Sequence, residues 1–417
     1  MVRLARSLTL ISAIGTVAWP FAIVIGVAGT VDDCGDSPFD SPCVIQESQI
    51  AVKTFIAGNI EEPGDIDVFQ FEVRAEDVGS LYLIETIIPD GDPFSDTYLR
   101  LLGKDGTSEI VSDNDSGVGG GSKILWSPEE AGNYFAEVTQ FFSTEIGLYQ
   151  IAVFRAGIAP PDDHGDDAAA ATEMVVGGAP LSGSTELSAD RDWFKFRIEA
   201  NRFYDVETSN LETGSDTVIT LFAEDGLTPL DTDDQGGREF NASRISWISP
   251  SNLSPGGVFY YLEVQQFLSG TSGVGYDVSV TSTGEPLEVS TKGEALNGEI
   301  EEAGEIDAYV FSATEMSIFT VSLQAATNEL NLFELRLLDP DGITLVKSQK
   351  NLEFENLTET LGASGDYFLL ATNEFEMGSY VLSATLESPE GNPDLNLDGR
   401  IDHLDFLLLL EAYQEEK

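Results

Sequence analysis

Asp67-Val68-Phe69-Gln70-Phe71, Asp192-Trp193-Phe194-Lys195-Phe196 and Asp307-Ala308-Tyr309-Val310-Phe311 are three copies of one pattern: Asp, any residue, aromatic, any residue, Phe. Residues two apart along a strand share a face, so the acid and both rings point the same way. A carboxylate therefore enters the core side at the start of each strand. The copies are spaced by little more than the length of a small domain, which predicts three similar modules in a row.

Around each copy the order of signals repeats. Module one has a turn at Gly58 to Asp65, the Asp67 strand, Leu81-Tyr82-Leu83-Ile84, Tyr98-Leu99-Arg100-Leu101-Leu102 before Asp105-Gly106, Tyr134-Phe135-Ala136-Glu137-Val138, and Leu148-Tyr149-Gln150-Ile151. Module two repeats it with Gly183, Asp192, Asp225-Gly226, Tyr260-Tyr261-Leu262 and Gly275-Tyr276, and module three with Gly298, Asp307, Asp341-Gly342, Tyr367-Phe368-Leu369 and Gly378-Ser379-Tyr380. Short alternating runs divided by Gly, Asp and Pro, with no long helical period, predict a mainly β fold. The expectation is three tandem antiparallel β-sandwich, jelly-roll-like modules over residues 50–156, 174–283 and 284–387. Residues 157–173, rich in Asp and Pro, read as an extended, mobile acidic linker.

With 42% hydrophobic residues the chain is globular despite a formal charge of −53, from 73 acids against 20 bases. Such a charge repels phosphate backbones and anionic lipids, which excludes nucleic acid as a partner and favours divalent cations and salt. Adaptation to high salt is a parallel reading of the same acidity. Arg3 and Arg6 before an apolar run from Leu8 to Ala28 read as a secretory signal helix over 1–29, or an uncleaved anchor and the one route to a membrane. The location expected is extracellular or in the cell envelope. In segment 30–49, Cys34 and Cys43 flank a turn-rich stretch that suits a short disulfide loop, with a metal site as the weaker alternative.

The order of Gly turn, Asp-x-aromatic-x-Phe, Leu-x-Leu ahead of Asp-Gly, and Gly-x-Tyr strand resembles the bacterial pre-peptidase C-terminal domain, in three copies over about three quarters of the chain. The resemblance implies secreted, non-catalytic β-sandwich modules and names no ligand.

Modules one and two share acids that module three lacks: Asp96 matches Asp216, and Asp113 matches Asp233, where module three has Leu332 and Gln349. One reading gathers Asp67, Asp96 and Asp113, and likewise Asp192, Asp216 and Asp233, around Ca²⁺; the other makes them turn caps. Trp126 and Trp247 occupy matching places and read as core, whereas Trp193, on the other strand face from Asp192 and Phe196, is the better candidate for an exposed contact, including with polysaccharide.

The sharpest motif lies in segment 388–417: Asp394-Leu395-Asn396-Leu397-Asp398-Gly399-Arg400-Ile401-Asp402-His403-Leu404-Asp405. It has the spacing of an EF-hand-like loop, with Asp394, Asn396 and Asp398 offering side-chain oxygens, Arg400 its carbonyl, Asp402 an oxygen and Asp405 the closing carboxylate for Ca²⁺. Asp at the last position and Ile401 resemble one half of a type I dockerin, which implies a cohesin-like or other cell-surface partner. The following Phe406, Leu409, Leu410 and Tyr413 form an apolar stripe.

The chain has two histidines, His164 in the linker and His403 in the loop, so a Ser-His-Asp or Cys-His constellation has no imidazole in a module core. A glycosidase needs only two carboxylates, and 73 acids leave that chemistry open. The function expected is a non-catalytic, calcium-binding spacer or attachment protein. The alternative is an accessory or catalytic component of extracellular polysaccharide or protein breakdown.

Overall fold

A computed structural model describes residues 34–387 apart from 90–95, 269, 327–332, 351–355 and 374–375. Residues 1–29, read as a signal, and 394–405, read as an EF-hand-like loop, thus lie outside the described residues. Among these residues, no helix is long and apolar enough to cross a membrane.

Each module is two sheets face to face. In module one a five-stranded sheet runs Cys43–Val44, Asp67–Val73, Gly132–Gln140, Thr97–Leu102, Glu109–Asp113, and a four-stranded sheet runs Ile56–Ile60, Gly147–Ile158, Ser80–Ile87, Lys123–Trp126. Modules two and three repeat both sheets in the same order, so the periodicity of the sequence is a repeat of topology. All pairings between the strands are antiparallel except one per module, a two-residue strand lying parallel to the Asp-led strand. The register matches Asp113 with Leu99, Asp233 with Ile219 and Gln349 with Leu335, the equivalence read from the sequence. Between the sheets lie Phe69, Phe71, Tyr82, Trp126 and Tyr149 in module one, with counterparts in the other two cores.

A single device explains why Gly, Asp and Tyr recur together. Gly58, Gly183 and Gly298 sit on edge strands directly across from Tyr149, Tyr276 and Tyr380. A methyl at any of them would overlap the tyrosine ring, so the glycine lets the ring lie over its own backbone. The ring then spans the sandwich and its hydroxyl donates to the buried carboxylate of the opposite sheet: Tyr149 to Asp67 Oδ2 at 2.5 Å, Tyr276 to Asp192 and Tyr380 to Asp307 Oδ2 at 2.5 Å. In module three Tyr309 stands where the others have Phe, and its hydroxyl lies 2.5 Å from that of Tyr380, extending the pair into a chain of three.

Each module also buries the outer face of its five-stranded sheet under what precedes it. In module one Val68, Leu102 and Phe135 form a buried cluster, and Pro38 and Phe39 of the Cys34–Cys43 disulfide loop stand against Gly106 on that side. Module two uses residues 157–173, which corrects the expectation of a mobile linker. Trp193 N–H donates to Gly165 O (3.1 Å), Met174 N–H to Lys195 O (2.8 Å), and Ala168 abuts Gly226. Trp193 is accordingly 7% exposed and stacked on Phe222, so it is not the exposed contact its strand position suggested. Module three uses module two itself: Phe203 and Ile248 pack with Ile306, Ala308, Leu338, Phe368 and Leu370. Modules one and two meet more sparingly. Ser188 N–H donates to Leu125 O (2.8 Å), and Leu125 N–H returns to Ser188 Oγ (3.0 Å).

Candidate functional site

The covering segment of module two brings acids to the edge strand Leu181–Thr185. Pro160 and Pro161 keep it extended. His164 anchors it, its ring 4.5 Å from that of Phe194, Nδ1 2.9 Å from Thr172 Oγ1 and Nε2 3.0 Å from Ser182 O. Asp162 and Asp163 are thereby held beside Glu186, which follows the edge strand, with ligand oxygens of all three within 4.8 Å of one another. Ser184 Oγ lies 2.5 Å from Glu186 Oε1 and 3.2 Å from Asp163 Oδ2, and donates its single proton to one of them at a time. Glu186 Oε2 is buried and has no hydrogen-bond partner.

Behind this group lie two more acids. Asp190 Oδ2 accepts the Glu186 N–H at 2.8 Å, and burial, with the Glu186 charge adding to it, pushes the Asp190 carboxyl well above the ordinary range. Asp192 is fully buried, with Oδ2 on the Tyr276 hydroxyl and Oδ1 unpartnered. Its pKa is pushed up to about 9 by burial first, and then by the charges of Asp190, Asp163 and Glu186, against the lowering effect of the tyrosine bond. The Tyr276 hydroxyl is raised by burial first, and then by the charge of Asp192 and the bond to it. Crowded carboxyls that no lysine or arginine offsets either hold protons or take a cation. Alongside opens a pocket of about 460 Å³, walled by Asp163, Glu186, Asn210, Glu212, Tyr276 and Asp277 among others.

The acids singled out from the sequence are placed differently. Among the described residues the group of three ligating side chains within such reach is Asp162, Asp163 and Glu186, so neither Asp67, Asp96 and Asp113 nor Asp192, Asp216 and Asp233 gather into one. Asp67, Asp192 and Asp307 face tyrosines instead. Asp113 Oδ2 accepts from Ser116 N–H (3.1 Å) and Lys123 N–H (2.7 Å), and Asp233 Oδ2 from Gly236 N–H (2.7 Å) and Arg244 N–H (2.8 Å), which is the turn-capping role. Asp96 and Asp216 each keep a buried Oδ1 without a partner, and burial raises both, helped by Asp115 and Glu145 beside Asp96 and by Asp234 beside Asp216. The residues 394–405 lie outside the described residues.

Asp162, Asp163 and Glu186 escaped the sequence reading because two of them sit in a run taken for linker. The one sign available was His164, an imidazole in an otherwise acidic run that suits anchoring better than solvation.

No family model matches the chain, and no curated protein does. Solved structures with local similarity include the pre-peptidase C-terminal domain of a Bacillus anthracis collagenase (19% identity, 29% of this chain and 97% of that one, TM-score 0.21). Another is Aeromonas hydrophila PliG, a periplasmic inhibitor of g-type lysozyme (14% identity, 24% of this chain and 96% of that one, TM-score 0.21). A triple jelly-roll protein from the turret of an archaeal virus aligns over 81% of this chain and 84% of its own, at 10% identity and a TM-score of 0.15.

Proposed function

We propose that this chain is an exported, non-catalytic modular protein whose β-sandwiches space or attach something at a cell surface or matrix, with Ca²⁺ fastening parts of it. The observation that carries the metal reading is the gathering of Asp162, Asp163 and Glu186 against the buried Asp190 and Asp192. All the donors there are hard oxygens, which suit Ca²⁺ better than zinc or copper. Asp162, Asp163 and Glu186 would hold the ion, and the covering segment would be fastened to module two by it. Residues 394–405 are the second candidate, from sequence spacing alone. Export is supported by the apolar N-terminal run and by the Cys34–Cys43 disulfide.

The non-catalytic reading is supported by repetition, since structural devices recur in a chain whereas an active site usually occurs once. His164 spends both ring nitrogens on Thr172 and Ser182. The alternative function, an accessory or catalytic component of extracellular polysaccharide or protein breakdown held to a cohesin-like partner, draws on the dockerin-like spacing of residues 394–405.

Calorimetric titration of EDTA-stripped protein with Ca²⁺, repeated on Asp162→Asn and on Asp394→Asn, tests the metal reading. Saturable binding that weakens in Asp162→Asn supports the linker site, and identical isotherms for wild type and Asp162→Asn would remove it. A hydrolysis panel and a pull-down in Ca²⁺ and then EDTA separate the two functional readings.

A further inference from the structure

Both joints between modules use the same turn. Ser188-Ala189 in module two and Ala303-Gly304 in module three stand just before the Asp-led strand, and each turn is closed by an acid that accepts a backbone N–H from four residues back. Asp190 accepts from Glu186 (2.8 Å) and Glu305 from Glu301 (2.5 Å). Each turn docks on the outermost strand of the preceding module's four-stranded sheet, Lys123–Trp126 or Arg244–Ile248. The two dockings differ in strength.

At the second joint Gly304 O accepts from Arg238 Nη2 (2.8 Å) and from Arg244 Nη2 (2.9 Å). Arg244 is forked on Asp205, Nε to Oδ1 at 2.8 Å and Nη2 to Oδ2 at 2.7 Å, and both side chains are buried. Ile248 N–H donates to Gly342 O (2.9 Å) beside the apolar cluster that the two modules share. A planar guanidinium fixed by two bonds to module two and donating to module three leaves little freedom to turn, and the apolar contact resists sliding.

At the first joint Lys123 takes the place of Arg244: it pairs with Glu85 as Arg244 pairs with Glu207, and brings a point charge where the other brings a fork. Among the described residues no buried apolar cluster spans modules one and two. Ser188 carries the docking through its two bonds with Leu125, and its Oγ donates to Gly270 O (3.0 Å). Gly270 then lies so close to Asp113 that a methyl on it would overlap Asp113 Oδ1. Asp113 is 3% exposed, and that oxygen has no hydrogen-bond partner. Closing the first joint thus strips water from a carboxylate oxygen and returns nothing to it, a cost that works against the few bonds of Ser188. The chain crosses this joint through Ile158, 91% exposed, and the exposed Pro160 and Pro161, before His164 fastens it to module two.

We propose that the protein bends at one place. Modules two and three move as a single body, and module one opens and closes against it about residues 158–161, with Ser188 as the catch and Asp113 as the group that opposes closure. Neither the Ca²⁺ reading nor the attachment reading is needed for this.

The test is pulsed electron–electron resonance on the full chain, with the Cys34–Cys43 disulfide kept oxidised and spin labels at exposed positions of each module: Glu72→Cys, Thr213→Cys and Glu315→Cys, taken in pairs. The pair at 213 and 315 should give one narrow distance, and the pair at 72 and 213 a broad or two-component distribution. Asp113→Asn keeps an acceptor for the Ser116 and Lys123 N–H groups and removes the charge, so it should enlarge the closed component. Gly270→Ala should delete that component, because its methyl meets Asp113. Unchanged melting curves would show that both variants still fold. A distribution at 72 and 213 as narrow as that at 213 and 315 overturns the proposal, and so does a broad one at 213 and 315. A distribution at 72 and 213 that responds to neither variant overturns the part given to Asp113.

Discussion

Replacing Asp192 by Asn should make module two less sensitive to alkali. In the folded chain burial raises this carboxyl to about 9, whereas in the unfolded chain it titrates near an ordinary aspartate, at about 4. The folded state therefore holds a proton that the unfolded state releases. Stability is undiminished below the unfolded value, falls by about 1.4 kcal/mol per pH unit between the two values, and levels off above the folded one. Between pH 6 and 8 that amounts to about 3 kcal/mol for one group, a shift in melting temperature of roughly 10 °C or more for a module of this size. Asp190 adds in the same direction, so the variant removes only the share of Asp192. An amide at position 192 still accepts from Tyr276 and has no charge to desolvate. Trp193 and Trp247 both report on module two, and a Trp126→Phe background leaves them as the tryptophans of the described residues. Fluorescence-monitored unfolding from pH 5 to 9 should show a falling midpoint in the parent and a shallower slope in Asp192→Asn. Ca²⁺ should flatten the parent's slope as well, because a cation beside these acids lowers their pKa values. Parallel slopes for parent and variant would refute the argument that the folded chain keeps Asp192 protonated.

Gly58→Ala or Gly298→Ala should cost about 1–3 kcal/mol and lower the melting transition of its module, because the methyl would overlap the Tyr149 or Tyr380 ring. Tyr309→Phe removes a hydroxyl from the chain with Tyr380 and Asp307 and should cost about 1 kcal/mol in module three, seen as a lower denaturant midpoint at unchanged slope. Hydrogen exchange should find the amides of Met174 and Trp193 protected to a degree no free linker reaches; Ser188→Ala should speed exchange at Leu125 by removing its acceptor.

The repeat, the strand class and the partition into three sandwiches were legible because alternation and turn chemistry are local, and the same local pattern appears three times. The role of the motif acids was only half legible. That Asp67, Asp192 and Asp307 face the core follows from period two, but their partners lie some 70 to 85 residues away on the opposite sheet. Only a glycine directly across from the tyrosine makes that crossing feasible, and register of this kind is a tertiary fact. The linker failed for a related reason. Composition reports what a segment would do in water, and Asp162 to Asp167 look solvated. Composition does not report that Trp193 and Phe222 leave an apolar strip that something must cover. The same strip misled the reading of Trp193, whose outward strand face is outward only from its own sandwich.

That every sandwich is roofed by residues lying ahead of it has a bearing on synthesis. A chain that emerges amino end first delivers each roof before the wall that needs it, so no greasy strip waits uncovered for a later segment to arrive. Were the order reversed, Val68, Trp193 and Ile306 would each meet solvent while synthesis went on, and neighbouring chains would be the nearest shelter. The sequence order of cover and covered thus protects the newborn protein as well as the finished one.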